Sequence, residues 1–230
     1  MTLQAPESVT IKLNDSSVSG LLQIADDVTH LYVVAHGAGA GMRHPFLDSM
    51  ARLLAASGIA TLRYQFPYME AKKSRTDSPP VAYAAVRAAV AKAAELLPGI
   101  PLLAGGKSFG GRMTSGAHAE SPLDEVCGLV FLGFPLHAPG KPGLERALHL
   151  ASVRIPMLFL QGTRDDFARL DLITEVCAGL GPHARLELFD GADHSFGVKK
   201  GSGRTKVEVQ EDMAATIATW ADLGPRGVDE

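Results

Sequence analysis

The sequence predicts an α/β fold: a mostly parallel, twisted sheet with helices on both faces, formed as one domain over residues 1–230. Two observations carry that expectation. Short continuous apolar runs rich in β-branched residues alternate with stretches whose apolar residues recur at helical spacing. Several of those runs end in glycine-rich or reactive sequence, and the carboxyl ends of parallel strands are where such sheets carry function. The chain shows no internal repeat, low-complexity tract or linker that would divide it.

Taken in order, Ser8-Val-Thr-Ile-Lys-Leu13 alternates apolar and polar, and residues 18–24 repeat the pattern after the turn signal Asn14-Asp15-Ser16-Ser17. They are expected to be two antiparallel edge strands. Leu31-Tyr-Val-Val-Ala35 is the first run of a strand buried on both faces, and the glycine-rich His36-Gly-Ala-Gly-Ala-Gly41 after it is a loop. Beyond Pro45, the spacing of Phe46, Leu47, Met50, Leu53 and Leu54 predicts a helix that Gly58 stops. Residues 59–64 are the next strand, and residues 65–77 an irregular segment. Ser78 is placed to cap a helix that has Pro79 and Pro80 in its first turn and Val86, Val90, Ala93 and Leu97 on one face.

Residues 102–111 hold an apolar strand that runs through a tight turn into a small-residue helix. Residues 126–131 give another strand, and the Pro- and Gly-rich residues 139–143, with a helical stretch to Ala151, stand where a small lid fits. Residues 157–161 form a strand, about 170–180 a helix, and 185–189 the last strand. A final helix carries Val209, Met213, Ile217 and Trp220 on one face. The tail after Pro225 is expected to fray.

The composition is that of an ordinary globular protein: 230 residues, 46% hydrophobic and 20% charged, with a net charge of -3. That charge gives no footprint for nucleic acid or for an anionic membrane. Only Cys127 and Cys177 occur, each in an apolar segment, which points to reduced buried thiols and a cytoplasmic location. No signal-peptide core is visible in the first 18 residues and no apolar run reaches membrane-spanning length. The histidines show no ligand spacing, so no metal and no cofactor is expected.

The chemistry centres on Gly106-Lys107-Ser108-Phe109-Gly110, a G-x-S-x-G turn between strand and helix. Such a nucleophile elbow holds a serine on a strained turn, with glycines where strand and helix backbones approach too closely for a Cβ. The same letters contain Gly-Lys-Ser, the end of a phosphate-binding loop. That motif needs a glycine five positions before Gly106, where this chain has Pro101.

A serine hydroxyl is a weak nucleophile, so it needs a base and the base needs an orienting acid. Strand ends supply both. Arg164-Asp165-Asp166 follows the strand at 157–161, and Asp193-His194 follows the last strand. Ser108, Asp165 and His194 therefore come in the chain order Ser, Asp, His, with His194 taking the serine proton and Asp165 orienting the imidazole. Asp166, one position on, is the alternative acid. Asp190 and Asp193 are expected to form turns, and His36 to brace the glycine loop. The backbone N–H groups of Phe109 and Ala38 are the candidate oxyanion donors. Arg43, Lys72, Lys73, Arg75 and Lys141 follow strands and are expected to be solvated charges, an anionic leaving group being the other possibility.

These features carry a resemblance. His36-Gly-Ala-Gly-Ala-Gly41, Arg63-Tyr-Gln-Phe-Pro-Tyr68, Gly105-Gly-Lys-Ser-Phe-Gly-Gly-Arg112, Phe159-Leu-Gln-Gly-Thr-Arg-Asp165 and Gly191-Ala-Asp-His-Ser-Phe196 together resemble an α/β-hydrolase of the compact dienelactone-hydrolase-like kind. More narrowly they are similar to the branch related to a subunit of the nonspecific-lethal histone acetyltransferase complex. The resemblance implies an α/β-hydrolase fold with a minimal lid and the same three residues as a triad. Dienelactone hydrolases proper place a cysteine where this chain has Ser108, so their particular activity is not implied.

The expectation is a cytoplasmic serine hydrolase that acts on a small-molecule ester or thioester through an acyl-enzyme. A small lid favours short or exposed acyl groups. The rival reading is a non-catalytic interaction protein that keeps the fold; a peptidase ranks lower, because no segment marks a peptide-binding domain.

Overall fold

The computed structural model describes residues 5–224. Eight strands form one sheet: β1 (Glu7–Lys12), β2 (Ser17–Gln23), β3 (His30–Ala35), β4 (Ile59–Tyr64), β5 (Leu102–Lys107), β6 (Val126–Leu132), β7 (Met157–Gly162) and β8 (Ala184–Phe189). Their spatial order is β1-β2-β4-β3-β5-β6-β7-β8. The β1–β2 hairpin joins the sheet through an antiparallel β2–β4 pairing, and every pairing from β4 to β8 is parallel.

From β3 the chain first crosses to β4 on one side and then returns to β5 on the other. Loops leaving β3 and β5 thus diverge and open a crevice, the position at which such sheets take ligands. Register keeps the strand ends level there, with Ala35 opposite Gly106 and Gly106 opposite Phe131.

The pleat sends alternate residues of each strand into two cores. Leu31, Val33 and Ala35 join one core with residues of helices α3 (Pro79–Leu96), α4 (Phe109–Glu120) and α5 (Leu170–Leu180). Tyr32 and Val34 join the other with α1 (Pro45–Ala56) and α6 (Lys206–Asp222). In α1 the buried residues are Phe46, Leu47, Met50, Ala51, Leu54 and Ala55, and the chain turns out of the helix at Gly58 with φ +79°. In α3 the buried face is mostly alanine, which lets α4 approach so closely that a Cβ on Gly116 would fall 2.2 Å from the Tyr83 hydroxyl. Thr205 and Glu208 close a capping box at the start of α6.

Several expectations change. β2 is interior, because it pairs with both β1 and β4. β8 is the outer strand on the far flank, and it is partly exposed, with Leu188 at 45%. The segment 65–77 contains a short helix, α2 (Pro67–Glu70), which carries Tyr68 into the core. Ser78 sits at the start of α3 in extended backbone but makes no side-chain cap. A 3-10 helix over Glu145–Ser152 packs on α4 and α5, and none of its residues lines the cleft at the elbow. The tail after Pro225 lies outside the described residues. Among the described residues no helix is long and apolar enough to cross a membrane.

Candidate active site

β5 ends at Lys107, α4 begins at Phe109, and Ser108 between them takes φ 49° and ψ -114°. A non-glycine residue there is strained, which holds the side chain out of both elements. The strain persists because its surroundings leave no alternative. A Cβ on Gly106 would fall 2.1 Å from the Ala35 carbonyl oxygen, and one on Gly110 2.5 Å from the same atom. Strand and helix therefore both press on β3, and the elbow projects at the crevice.

The loop after β8 brings His194 to the elbow. Asp193 shapes that loop, its Oδ1 accepting from the N–H groups of Ser195 at 2.8 Å and Gly197 at 2.9 Å. Phe196, fully buried with φ 56°, anchors it between Phe46 and Phe189. His194 Nε2 then lies 2.9 Å from Ser108 Oγ, and Nδ1 lies 2.7 Å from Asp165 Oδ2. An ionised carboxylate only accepts, so Nδ1 carries the proton and Nε2 presents its lone pair to the serine hydroxyl.

Asp165 is buried at 5% exposure, and both its oxygens are held: Gln161 Nε2 donates to Oδ2 at 2.5 Å and the Phe167 N–H to Oδ1 at 2.8 Å. Asp166 is exposed. The Phe167 ring lies on the imidazole, with centroids 4.3 Å apart and planes at 31°. Burial pushes the proton affinity of His194 below the ordinary 6.5; the Asp165 hydrogen bond opposes that, and the Lys107 charge reinforces it.

The loop after β3 is pinned at three points. His36 donates from Nδ1 to the Gly37 carbonyl at 2.8 Å and accepts the Phe66 N–H on Nε2 at 3.1 Å, Gly39 N–H donates to the Tyr68 hydroxyl at 2.9 Å, and Met42 N–H to Gln65 Oε1 at 2.8 Å. Burial lowers the His36 pKa to about 4, against a smaller opposing effect of the Gly37 carbonyl, so the brace stays neutral. Ala38 and Phe109 hold their N–H groups at the edges of the two loops flanking Ser108, and neither donates to an acceptor among the described residues. Asp190 accepts from the Thr163 hydroxyl at 3.2 Å and, like Asp193, forms a turn.

The cleft before Ser108 has a volume of about 430 Å³ and is walled by Ala38, Phe46, Leu47 and Phe167. Arg43, Lys72, Lys73, Arg75 and Lys141 do not line it; Lys107 and Lys206 do. A larger hollow of about 720 Å³ between the hairpin and α3 is lined by none of the residues that surround Ser108. Among the described residues no group of three or more His, Cys, Asp or Glu is placed to hold a metal ion. Sequence reading missed Gln161, Phe167 and Tyr68. Gln161 carried a signal as a polar residue inside the buried run of β7, and Tyr68 as the end of the Arg63–Tyr68 motif.

Solved structures share this architecture. The chain is similar to a dienelactone hydrolase from Anabaena variabilis, with TM-score 0.75 and 21% identity over 97% of this chain and 100% of that one. An α/β serine hydrolase without lid from Xanthomonas campestris gives TM-score 0.73 and 17% identity over 96% and 97%. The esterase domain of a Rhodothermus marinus protein gives 0.70 and 18% over 97% and 100%. At these identities the likeness is one of fold. The family model described as alpha/beta hydrolase domain matches residues 28–222, from the turn before β3 to the end of α6. Since that span includes the elbow and the loops bearing Asp165 and His194, the chain belongs to the alpha/beta hydrolase domain family.

Proposed function

We propose that the protein is a serine hydrolase of the dienelactone-hydrolase-like kind, cleaving carboxylic esters or thioesters with Ser108, His194 and Asp165 as its triad. The observation that carries the reading is the unbroken relay from Ser108 Oγ to His194 Nε2 at 2.9 Å and from Nδ1 to Asp165 Oδ2 at 2.7 Å. His194 takes the Ser108 proton as Oγ bonds to the acyl carbon, and returns it to the leaving alkoxide or thiolate as that bond breaks. Water then attacks the acyl-enzyme by the same transfers, giving the acid and free Ser108. The oxyanion formed in each half meets the N–H groups of Ala38 and Phe109. The uncovered cleft of about 430 Å³ suits short acyl groups. Unpaired Cys127 and Cys177 accord with action in the cytoplasm.

The motif resemblance to the branch of the nonspecific-lethal complex subunit leaves a second reading, a binding protein that keeps the fold. A binding surface has no need of the relay, so the enzymatic reading stands first. A fluorophosphonate probe and the hydrolysis of p-nitrophenyl acetate and butyrate separate them. Labelling at Ser108 and turnover lost in Ser108→Ala and His194→Ala are expected; labelling without turnover on a broad ester panel would favour the binding reading, and unchanged activity in Ser108→Ala would remove the assignment.

A further inference from the structure

Lys107, the residue before the nucleophile, is partly buried and its ammonium is enclosed. Among the described residues Nζ has no hydrogen-bond partner. It lies over the Phe196 ring, 5.7 Å from the centroid. Gly133, at the end of β6 with φ +74°, leaves the space in which the ammonium meets the relay. A Cβ there would lie 3.1 Å from Lys107 Nζ, 3.5 Å from His194 Nδ1 and 3.6 Å from Asp165 Oδ2. One small residue thus separates the ammonium from the imidazole Nδ1 and the Asp165 carboxylate.

We propose that Lys107 is a positioning residue for the base: its unpaired charge, beside the Asp165–His194 pair, keeps the imidazole unprotonated and ready to accept the serine proton. The proposal rests on the hydrolase reading above. A cation near the imidazole opposes a second proton on the ring, whereas it leaves the neutral ring beside an ionised Asp165 undisturbed. The other charges acting here are Asp193, in the same loop as His194, which opposes Lys107 on His194, and Lys206, at the first turn of α6, which acts on Lys107. Burial lowers the Lys107 pKa to about 8, so the ammonium is charged throughout the range in which His194 titrates.

The test is the pH dependence of kcat/KM for p-nitrophenyl acetate between pH 5 and 8, with His194 followed in parallel by NMR titration. In Lys107→Met the acid limb and the His194 midpoint should move up by about one pH unit, while Ser108 still takes the fluorophosphonate label. Lys107→Gln should do the same, and Asp193→Asn, which keeps an acceptor for the loop, should move both downward. A merely structural role would lower activity at every pH and leave the limb in place. That result in either folded Lys107 variant would overturn the proposal. Should neither variant fold, carbon-13 titration of Lys107 in the wild type decides: a midpoint near 8 supports the proposal, and an amine already neutral at pH 6 sinks it. Because the NMR midpoint needs no turnover, failure of the hydrolase reading and failure of the Lys107 proposal are read separately.

Discussion

Gln161 donates from Nε2 to Asp165 Oδ2 at 2.5 Å, the same oxygen that faces His194 Nδ1, while its Oε1 accepts the Phe134 N–H at 3.0 Å. A side chain of β7 thereby fixes the carboxylate against the imidazole and ties it to the loop after β6. Gln161→Leu removes both bonds. It should lower kcat on p-nitrophenyl acetate about tenfold, as Asp165 turns more freely, and reduce unfolding free energy by about 1–3 kcal/mol because the buried Phe134 N–H loses its acceptor. Steady-state kinetics with urea unfolding checks both; unchanged kcat would show that Phe167 N–H alone suffices to hold the acid.

The two adjacent aspartates should separate cleanly. Asn at position 165 offers an amide where the imidazole proton points, favouring the wrong tautomer, and the expected loss in kcat for Asp165→Asn is about four orders of magnitude. Asp166 is exposed, and Asp166→Asn should keep wild-type kinetics. Equal losses in the two variants would reject the assignment of Asp165.

The candidate site was legible in the sequence to the extent that it depends on strand ends. An apolar run followed by glycines or by Asp and His tells where a strand stops, and parallel strands stop on the same side, so Ser108, Asp165 and His194 could be grouped without knowing the register. What holds those residues depends on long-range placement that no local pattern records. Gln161 reaches Asp165 because β7 carries it four residues before the loop doubles back, and Lys107 reaches the pair because Gly133 leaves room beneath it. Edge position is equally non-local: β2 alternates like an edge strand, and only its pairing with β4 makes it interior. The short helix at Pro67–Glu70 escaped because four residues are too few to show a period.

Stability should fall on mild acidification. His36 is held neutral with a pKa of about 4 against an ordinary 6.5, and burial lowers His149 to about 4 as well. Below 6.5 the unfolded chain takes up protons that the folded chain refuses, so the stability present above that value is lost as pH falls toward 4. For the fully buried His36 the loss approaches about 1.4 kcal/mol per pH unit. Urea midpoints between pH 7.5 and 4.5 should decline, and His36→Gln, with one titrating group fewer, should decline less steeply. A flat wild-type profile would contradict the enclosed, neutral brace.

Two glycines should respond in opposite directions to the same substitution. Gly106 has φ 141°, and an added Cβ would meet the Ala35 carbonyl oxygen at 2.1 Å. That oxygen belongs to the central strand, which cannot retreat without opening the sheet at the crevice. Gly106→Ala should therefore cost several kcal/mol, on the order of the larger core substitutions, or yield no folded protein. Gly179 lies in the last turn of α5 with ordinary helical backbone and nothing within 4 Å of the added methyl. Alanine there removes unfolded-state freedom without a clash, so Gly179→Ala should raise the unfolding free energy by about 0.5–1 kcal/mol. Thermal and urea unfolding of the pair checks the contrast. A tolerated alanine at 106 would mean that β5 and β3 do not approach as described, and with that the strained placement of Ser108 would lose its cause.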